Sequence, residues 1–260
     1  MSGQSSILDQ YSTAQLLQVK ICDLKLSLKQ SPIQLLIGQL YAEIARKGLC
    51  FKPEVWISTS WFSPYGVPGF ALPFYLLHPR LAELEKKYVG EVEGGTDAWC
   101  MQLLRHETGH AIDNAFLLRL SKRRQMLFGL SGEPYPTRYL PQTKSTDFVR
   151  HLENHYAQAH PDEDWAESFA IWLDPKSNWR SRYSGTKALD KLHLVDELLK
   201  SVVGMKQKVH RIDRLDDAST CDQTLIEYFE SKQQKYRKLA SPAKQRHNTR
   251  EEVMQNWISM

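Results

Sequence analysis

The chain has no long apolar run. Nothing in its 260 residues approaches the roughly 18 consecutive apolar residues of a membrane span, so no membrane role is expected. It is also poor in cysteine. Its four cysteines, Cys22, Cys50, Cys100 and Cys221, are scattered without a C-x-x-C pair, which argues against both a zinc ribbon and a disulfide framework. The first residues, MSGQSSILDQYS, lack the basic and apolar regions of a signal peptide, so a cytoplasmic, thiol-containing protein is expected. Excess charge is small. A net charge of +4, with a pI near 8.7 and no basic patch interleaved with aromatics, makes no case for nucleic acid. The 42% hydrophobic content suffices for one substantial core and a small appendage.

What the chain does have is HETGH, residues His106 to His110. On a helix, residues four apart share a face, so His106 and His110 can offer two imidazole nitrogens to one metal ion. Glu107 lies beside that face, within reach of a water on the metal's open position. This is the zincin arrangement of two ligands plus a general base. An H-E-x-x-H match arises by chance in roughly one chain in fifty of this length, so the surroundings decide. They favour a buried helix. Gly94-Gly95-Thr96-Asp97 is a loop ending in an N-cap residue, and Met101, Leu104, Ala111, Ile112, Ala115 and Phe116 then fall on one apolar stripe. Gly109 costs about 1 kcal/mol relative to Ala inside a helix, which suggests close approach by a second element. Asp113, on the same face as both histidines, is a candidate to fix a His tautomer.

A third ligand is sought downstream. His160-Pro161-Asp162-Glu163-Asp164-Trp165-Ala166-Glu167 reads as the start of another helix, with proline and acids in its first turn and Asp174-Pro175 at its end. Glu163 and Glu167 share a face, so either can reach the metal. Asp162 is explained by the helix dipole. Glu167, a full turn deeper and flanked by Ala166 and Phe169, needs a partner that a zinc ion would supply, and it is the preferred ligand.

HETGHAID followed by AESFA resembles the gluzincins, including lethal-factor-type toxin proteases and the bacterial glucose-regulating-factor metallopeptidases. The segments WFSPYGVPGFALPFYLLHPRL (61–81), EVEGGTDAWCMQLLRHETGHAIDNAF (91–116), HYAQAHPDEDWAESFAIWL (155–173) and KALDKLHLVDELL (187–199) are similar to a family of zinc-binding metallopeptidases. That resemblance spans most of residues 50 to 200. It implies an α+β, zincin-like metallopeptidase domain: a small sheet over the HExxH helix and a mostly helical C-terminal part. It further implies one Zn2+ held by His106, His110 and Glu167, with Glu107 as catalytic base, and a peptide or protein substrate of unspecified sequence. Gluzincins often place a Tyr or His near the metal to stabilise the oxyanion. Tyr156 is the candidate here. The toxin-type relatives carry their Tyr seven residues before the Glu ligand, a position held in this chain by His160.

Elsewhere the pattern is coarser. Three parts are expected: an N-terminal helical segment (1–48) with a loose tail at 1–12, a catalytic domain (49–204), and a polar helical tail (205–260) read as peripheral. Residues 12–28 mix helical and strand-like patterns. A helix begins at Pro32 and ends at Lys47-Gly48, another covers Lys187–Lys200, and a polar one Gln223–Leu239. Glu54–Thr59 and Gly69–Leu77 read as strands joined by the turn material SPYGVPG. Pro73 marks the second as an edge strand, either pairing with substrate over Phe70–Leu77 or closing a simple hairpin. Residues 129–147 are Pro-rich and lead to a helix near 148–159, whose His151 and His155 read as a solvated face rather than a second metal site. A zinc hydrolase of a non-protein amide would use identical residues. A binding protein with a vestigial site would have no need of Glu107. The oligomeric state is left open.

Overall fold

Five helix starts among the described residues are set by side chains that occupy the free N–H groups of a first turn. The structure, a computed structural model, describes residues 7–136 and 139–240. Segments 1–6 and 241–260 of the two expected tails lie outside the described residues. In order come α1 (Ile7–Gln10), α2 (Thr13–Leu17), α3 (Ile33–Arg46), β1 (Glu54–Ser58), β2 (Gly69–Pro73), α4 (Pro79–Val89) and α5 (Asp97–Phe116). After these come α6 (Lys122–Phe128), α7 (Pro161–Leu173), α8 (Trp179–Arg182), α9 (Lys187–Ser201) and α10 (Leu225–Ala240). Ser12 and Gln15 form a capping box on α2, while Thr96 and Thr186 cap α5 and α9. His78 and His160 cap α4 and α7 through their imidazoles, each followed by a proline in the first turn.

The result is mostly helical with a small two-stranded parallel sheet, an α+β arrangement. Helix α5 is the axis of the main core and is buried almost throughout from Cys100 to Phe116. It packs against α3, α7 and β2. A second cluster joins α1, α2, α4 and α10 around Phe74, Tyr75, Leu81 and Phe229. Two buried ion pairs tie helices to α5 and α7: Arg105 grips Glu43 of α3 with two bonds of 2.8 Å, and Lys191 of α9 reaches Asp164. Among the described residues no helix is long and apolar enough to cross a membrane.

Several expectations are revised by the fold. β1 and β2 pair in parallel, Trp56 opposite Ala71, so they form no hairpin. Phe62 returns to bridge Ala71 from the other side, which leaves β2 in the middle and wholly buried. The edge strand read over Phe70–Leu77 is therefore not available to a substrate, and Phe74–Leu77 turns into a 3-10 helix. Residues 12–28 resolve into α2 and short 3-10 turns. No α-helix forms near 148–159. Instead a 3-10 stretch over Glu153–Gln158 is interrupted at Asn154 and His155, both at positive φ, so His151 and His155 share no helix face. Helix α10 is not peripheral. Leu225, Tyr228 and Phe229 are buried, and the helix packs on α4 and α2.

Candidate metal centre

The site forms where α5 and α7 touch. At Gly109 the backbones come so close that a Cβ there would lie 2.8 Å from the Cα of Ala166 and 3.2 Å from the Cβ of Phe169. The Trp165 indole N–H, on α7, donates to the Gly109 carbonyl at 2.9 Å. Glycine on one helix facing alanine on the other is what lets the side chains on either side of this contact meet.

They meet as follows. The Nε2 atoms of His106 and His110 are 3.2 Å apart. Glu163 Oε2 lies 3.0 Å from the first and 3.3 Å from the second. All three residues are buried, and their donor atoms lie within 4.8 Å of one another. A tetrahedral zinc with N and O ligands at about 2.0–2.1 Å separates its donors by roughly 3.3 Å, so the triangle has the right size and donor chemistry. Among the described residues Glu163 Oε2 faces no polar group other than these two imidazole nitrogens. A buried carboxylate oxygen in that state calls for a cation.

Glu167, expected against the metal, takes a different place. Its Oε1 accepts from His106 Nδ1 at 2.9 Å, and its Oε2 accepts from the Leu152 backbone N–H at 2.8 Å. A hydrogen bond at Nδ1 leaves the Nε2 lone pair of His106 facing Glu163. From sequence Glu167 is preferred and Glu163 stays open as the alternative, because the first turn of a helix is ordinarily solvated. That turn is not solvated. His160 and Pro161 dock it in the core, and Glu163 is as fully buried as Glu167. The positive end of the helix dipole adds to the stabilisation of Glu163 there.

Electrostatics express the same demand for positive charge. Burial works against a charged His106, yet the hydrogen bonds and charges of Glu163 and Glu167 override it and lift the imidazole to about 10. Burial likewise pushes Glu163 up, but the His110 charge and the bonds to both histidines hold it well below the usual carboxylate range. Two buried carboxylates thus compete for one cation, the role that a bound zinc fills in place of a proton.

The other candidates fall as follows. Glu107 is buried beside His106 and lines a cavity of about 1150 Å³ over α5. Tyr156 lines the same cavity, its ring centroid 5.6 Å from that of His106. His160 is committed elsewhere: Nδ1 accepts from Asp162 N and Nε2 donates to the Glu133 carbonyl at 2.8 Å. His151 donates from Nε2 to the Gln102 carbonyl at 2.9 Å. Asp113, expected to orient a histidine, instead accepts from the Arg119 backbone at 2.6 Å and from Arg124 at 2.8 Å. It sits near the end of α5, where two arginines outcompete an imidazole for its charge. The sequence reading missed Tyr135, whose hydroxyl donates to Glu163 Oε1 at 2.7 Å while its ring stacks on His160 at 3.8 Å. It lies in the Pro-rich connector, where no periodicity signals a role.

A model of the family described as "Putative zinc-binding metallo-peptidase" matches residues 101–259, more than half of the chain. No curated protein and no solved structure matches the chain.

Proposed function

This chain belongs to the zinc-binding metallopeptidase family, and from that premise we propose that it hydrolyses peptide bonds at a zincin-like, gluzincin-type site. His106, His110 and Glu163 hold the zinc, and Glu167 orients His106 through Nδ1. The convergence of three buried donor atoms, with His106 and its neighbour Glu107 lining an open cavity, carries the assignment. Bound there, zinc would act as a Lewis acid and lower the pKa of a coordinated water. The chain's own residues do the rest. Glu107 accepts a proton from the attacking water and returns it to the leaving amine, the two halves of general acid–base catalysis. Glu167 keeps the Nδ1 proton of His106 in place, so that Nε2 stays a donor pair. Tyr135 holds the second oxygen of Glu163, fixing the carboxylate's orientation. Tyr156, which lines the cavity with His106, would donate its O–H to the oxygen of a tetrahedral intermediate.

Glu107→Gln separates chemistry from metal binding, because a carboxamide cannot accept the proton. The variant should keep one zinc per chain and lose activity by about 10²–10⁴-fold. Peptides released from a cell lysate by wild type and variant, compared by mass spectrometry, measure this. Identical release by the two proteins would remove Glu107 from the mechanism, and a wild type that binds no zinc on titration would remove the site.

A further inference from the structure

The cavity does not end at the metal centre. It runs from His106 and Glu107 past Trp61 and Tyr75 to the face of α10 at Tyr228 and Lys232. Resting on the hydrolase reading above, we propose that this cleft selects peptides carrying basic side chains, lysine or arginine, near the bond to be cleaved.

Charge is the first ground. The chain as a whole is net positive by four, yet its cleft is lined by five carboxylates besides Glu107: Glu91, Glu93, Glu153, Asp216 and Asp217. Among the described residues the basic side chains lining it are Lys232 and Lys235. Lys232 is already committed, bonded to the buried Glu85 carboxylate and, at 2.9 Å, to the Tyr228 hydroxyl. The wall opposite in sign to the rest of the surface therefore faces the substrate. Low-dielectric walls concentrate such a field and raise the local concentration of a cationic ligand.

A second ground is independent of charge. Among the described residues Trp61 Nε1 and the Tyr75 hydroxyl have no hydrogen-bond partner, although the two residues are only 4% and 0% exposed and both line the cleft. An indole N–H can only donate. Leaving it unpaired in a buried place costs about 1–3 kcal/mol, and a main-chain carbonyl of a peptide in the cleft would satisfy it once the wall yields enough to admit the contact. Trp99 and Tyr139 add aromatic faces to the lining, surfaces over which an ammonium or guanidinium is held. Acceptors for the cation and donors for the backbone describe one ligand, a basic peptide.

The test uses the full-length, zinc-loaded protein carrying Glu107→Gln, so that binding is read without turnover. Two fluorescein-labelled peptides, identical except that lysines in one are glutamates in the other, are titrated by anisotropy. The lysine peptide should bind about tenfold or more tightly than its partner, with an advantage that shrinks as salt rises. Adding Glu91→Gln, Glu153→Gln and Asp216→Asn together, all exposed positions, should erase most of that advantage while zinc content stays unchanged. The inference is overturned by equal or tighter binding of the glutamate peptide. It is also overturned by no saturable binding of the lysine peptide up to millimolar concentration, or by an advantage that the triple variant leaves intact. Because peptide affinity decides the outcome and zinc content serves only as a control, failure here is distinct from failure of the hydrolase assignment.

Discussion

Replacing Gly109 with alanine opposes two well-measured effects and lets the structure decide the sign. Helix propensity alone favours alanine over glycine by about 1 kcal/mol. Against this, the added Cβ would meet the Ala166 Cα at 2.8 Å and the Ala166 carbonyl oxygen at 3.1 Å. Carbon atoms rest at about 3.5–4.0 Å, so α5 and α7 must part by roughly 0.7 Å or more. Overpacking of this kind costs about 1–3 kcal/mol, which leaves a net loss of about 0–2 kcal/mol. For a chain of this size that lowers the melting temperature by up to about 8 °C. The same separation draws Glu163 and Glu167, either side of Ala166, away from His106. Zinc affinity should drop by about 10–100-fold, as it does when a ligand's support is disturbed. Gly38 in α3 is the control, since a Cβ there meets nothing within 4 Å. Gly38→Ala should be stabilising by propensity alone. Calorimetry of both variants, with chelator competition for zinc, makes the comparison. If Gly109→Ala melts higher than wild type and holds zinc equally well, the close approach of the two helices is wrong.

Other expectations are checked more simply. Glu163→Ala should weaken zinc binding by orders of magnitude, and Glu167→Ala by about 10–100-fold; the opposite ranking in a chelator competition would exchange their roles. Arg124 is fully buried between Asp113 and Asp162, at 2.8 Å from each, so Arg124→Ala should cost about 3–5 kcal/mol in urea unfolding. Loss of less than 1 kcal/mol would show that the cluster does not hold α6 to α5 and α7. Burial, aided by the charge of Asp97, pushes the Cys100 thiol up to about 12. The thiolate is then nearly absent at pH 8 and grows only as pH approaches that value. Brief iodoacetamide treatment at pH 8 should therefore alkylate exposed Cys50 and spare Cys100, as read by peptide mapping.

The parts of this fold that local chemistry controls were readable in the chain. A cap for α5 at Thr96 or Asp97, which the structure gives to Thr96, the apolar stripe through Met101 and Phe116, and the start of α7 at Pro161 all follow from rules acting within one turn. The paired histidines were readable for the same reason. What escaped depends on how elements dock. The short connection between β1 and β2 suggests a hairpin, but the return of Phe62 to Ala71 lets the two strands run parallel. The choice between Glu163 and Glu167 rests on where the first turn of α7 is buried, which no periodicity records. Tyr135 and Leu152 reach the site from irregular segments. Helix α10 reads as polar because its buried stripe is narrow, carried by Leu225, Tyr228 and Phe229.

Four acids of α7 are buried, and each finds its partner on another helix: Asp162 on Arg124 of α6, Glu163 on the histidines of α5, Asp164 on Lys191 of α9, and Glu167 on His106. Such a helix cannot slip by a residue or roll about its axis without stranding several charges at once. Greasy surfaces tolerate small slides, whereas this set of pairings behaves like a key cut for one lock. Its seat exists only once α5, α6 and α9 have assembled, so the metal centre is completed when the surrounding core is. Tight metal retention then reports on the integrity of the whole bundle, and damage as far away as α9 should surface first as a leaking ion rather than as a melted protein.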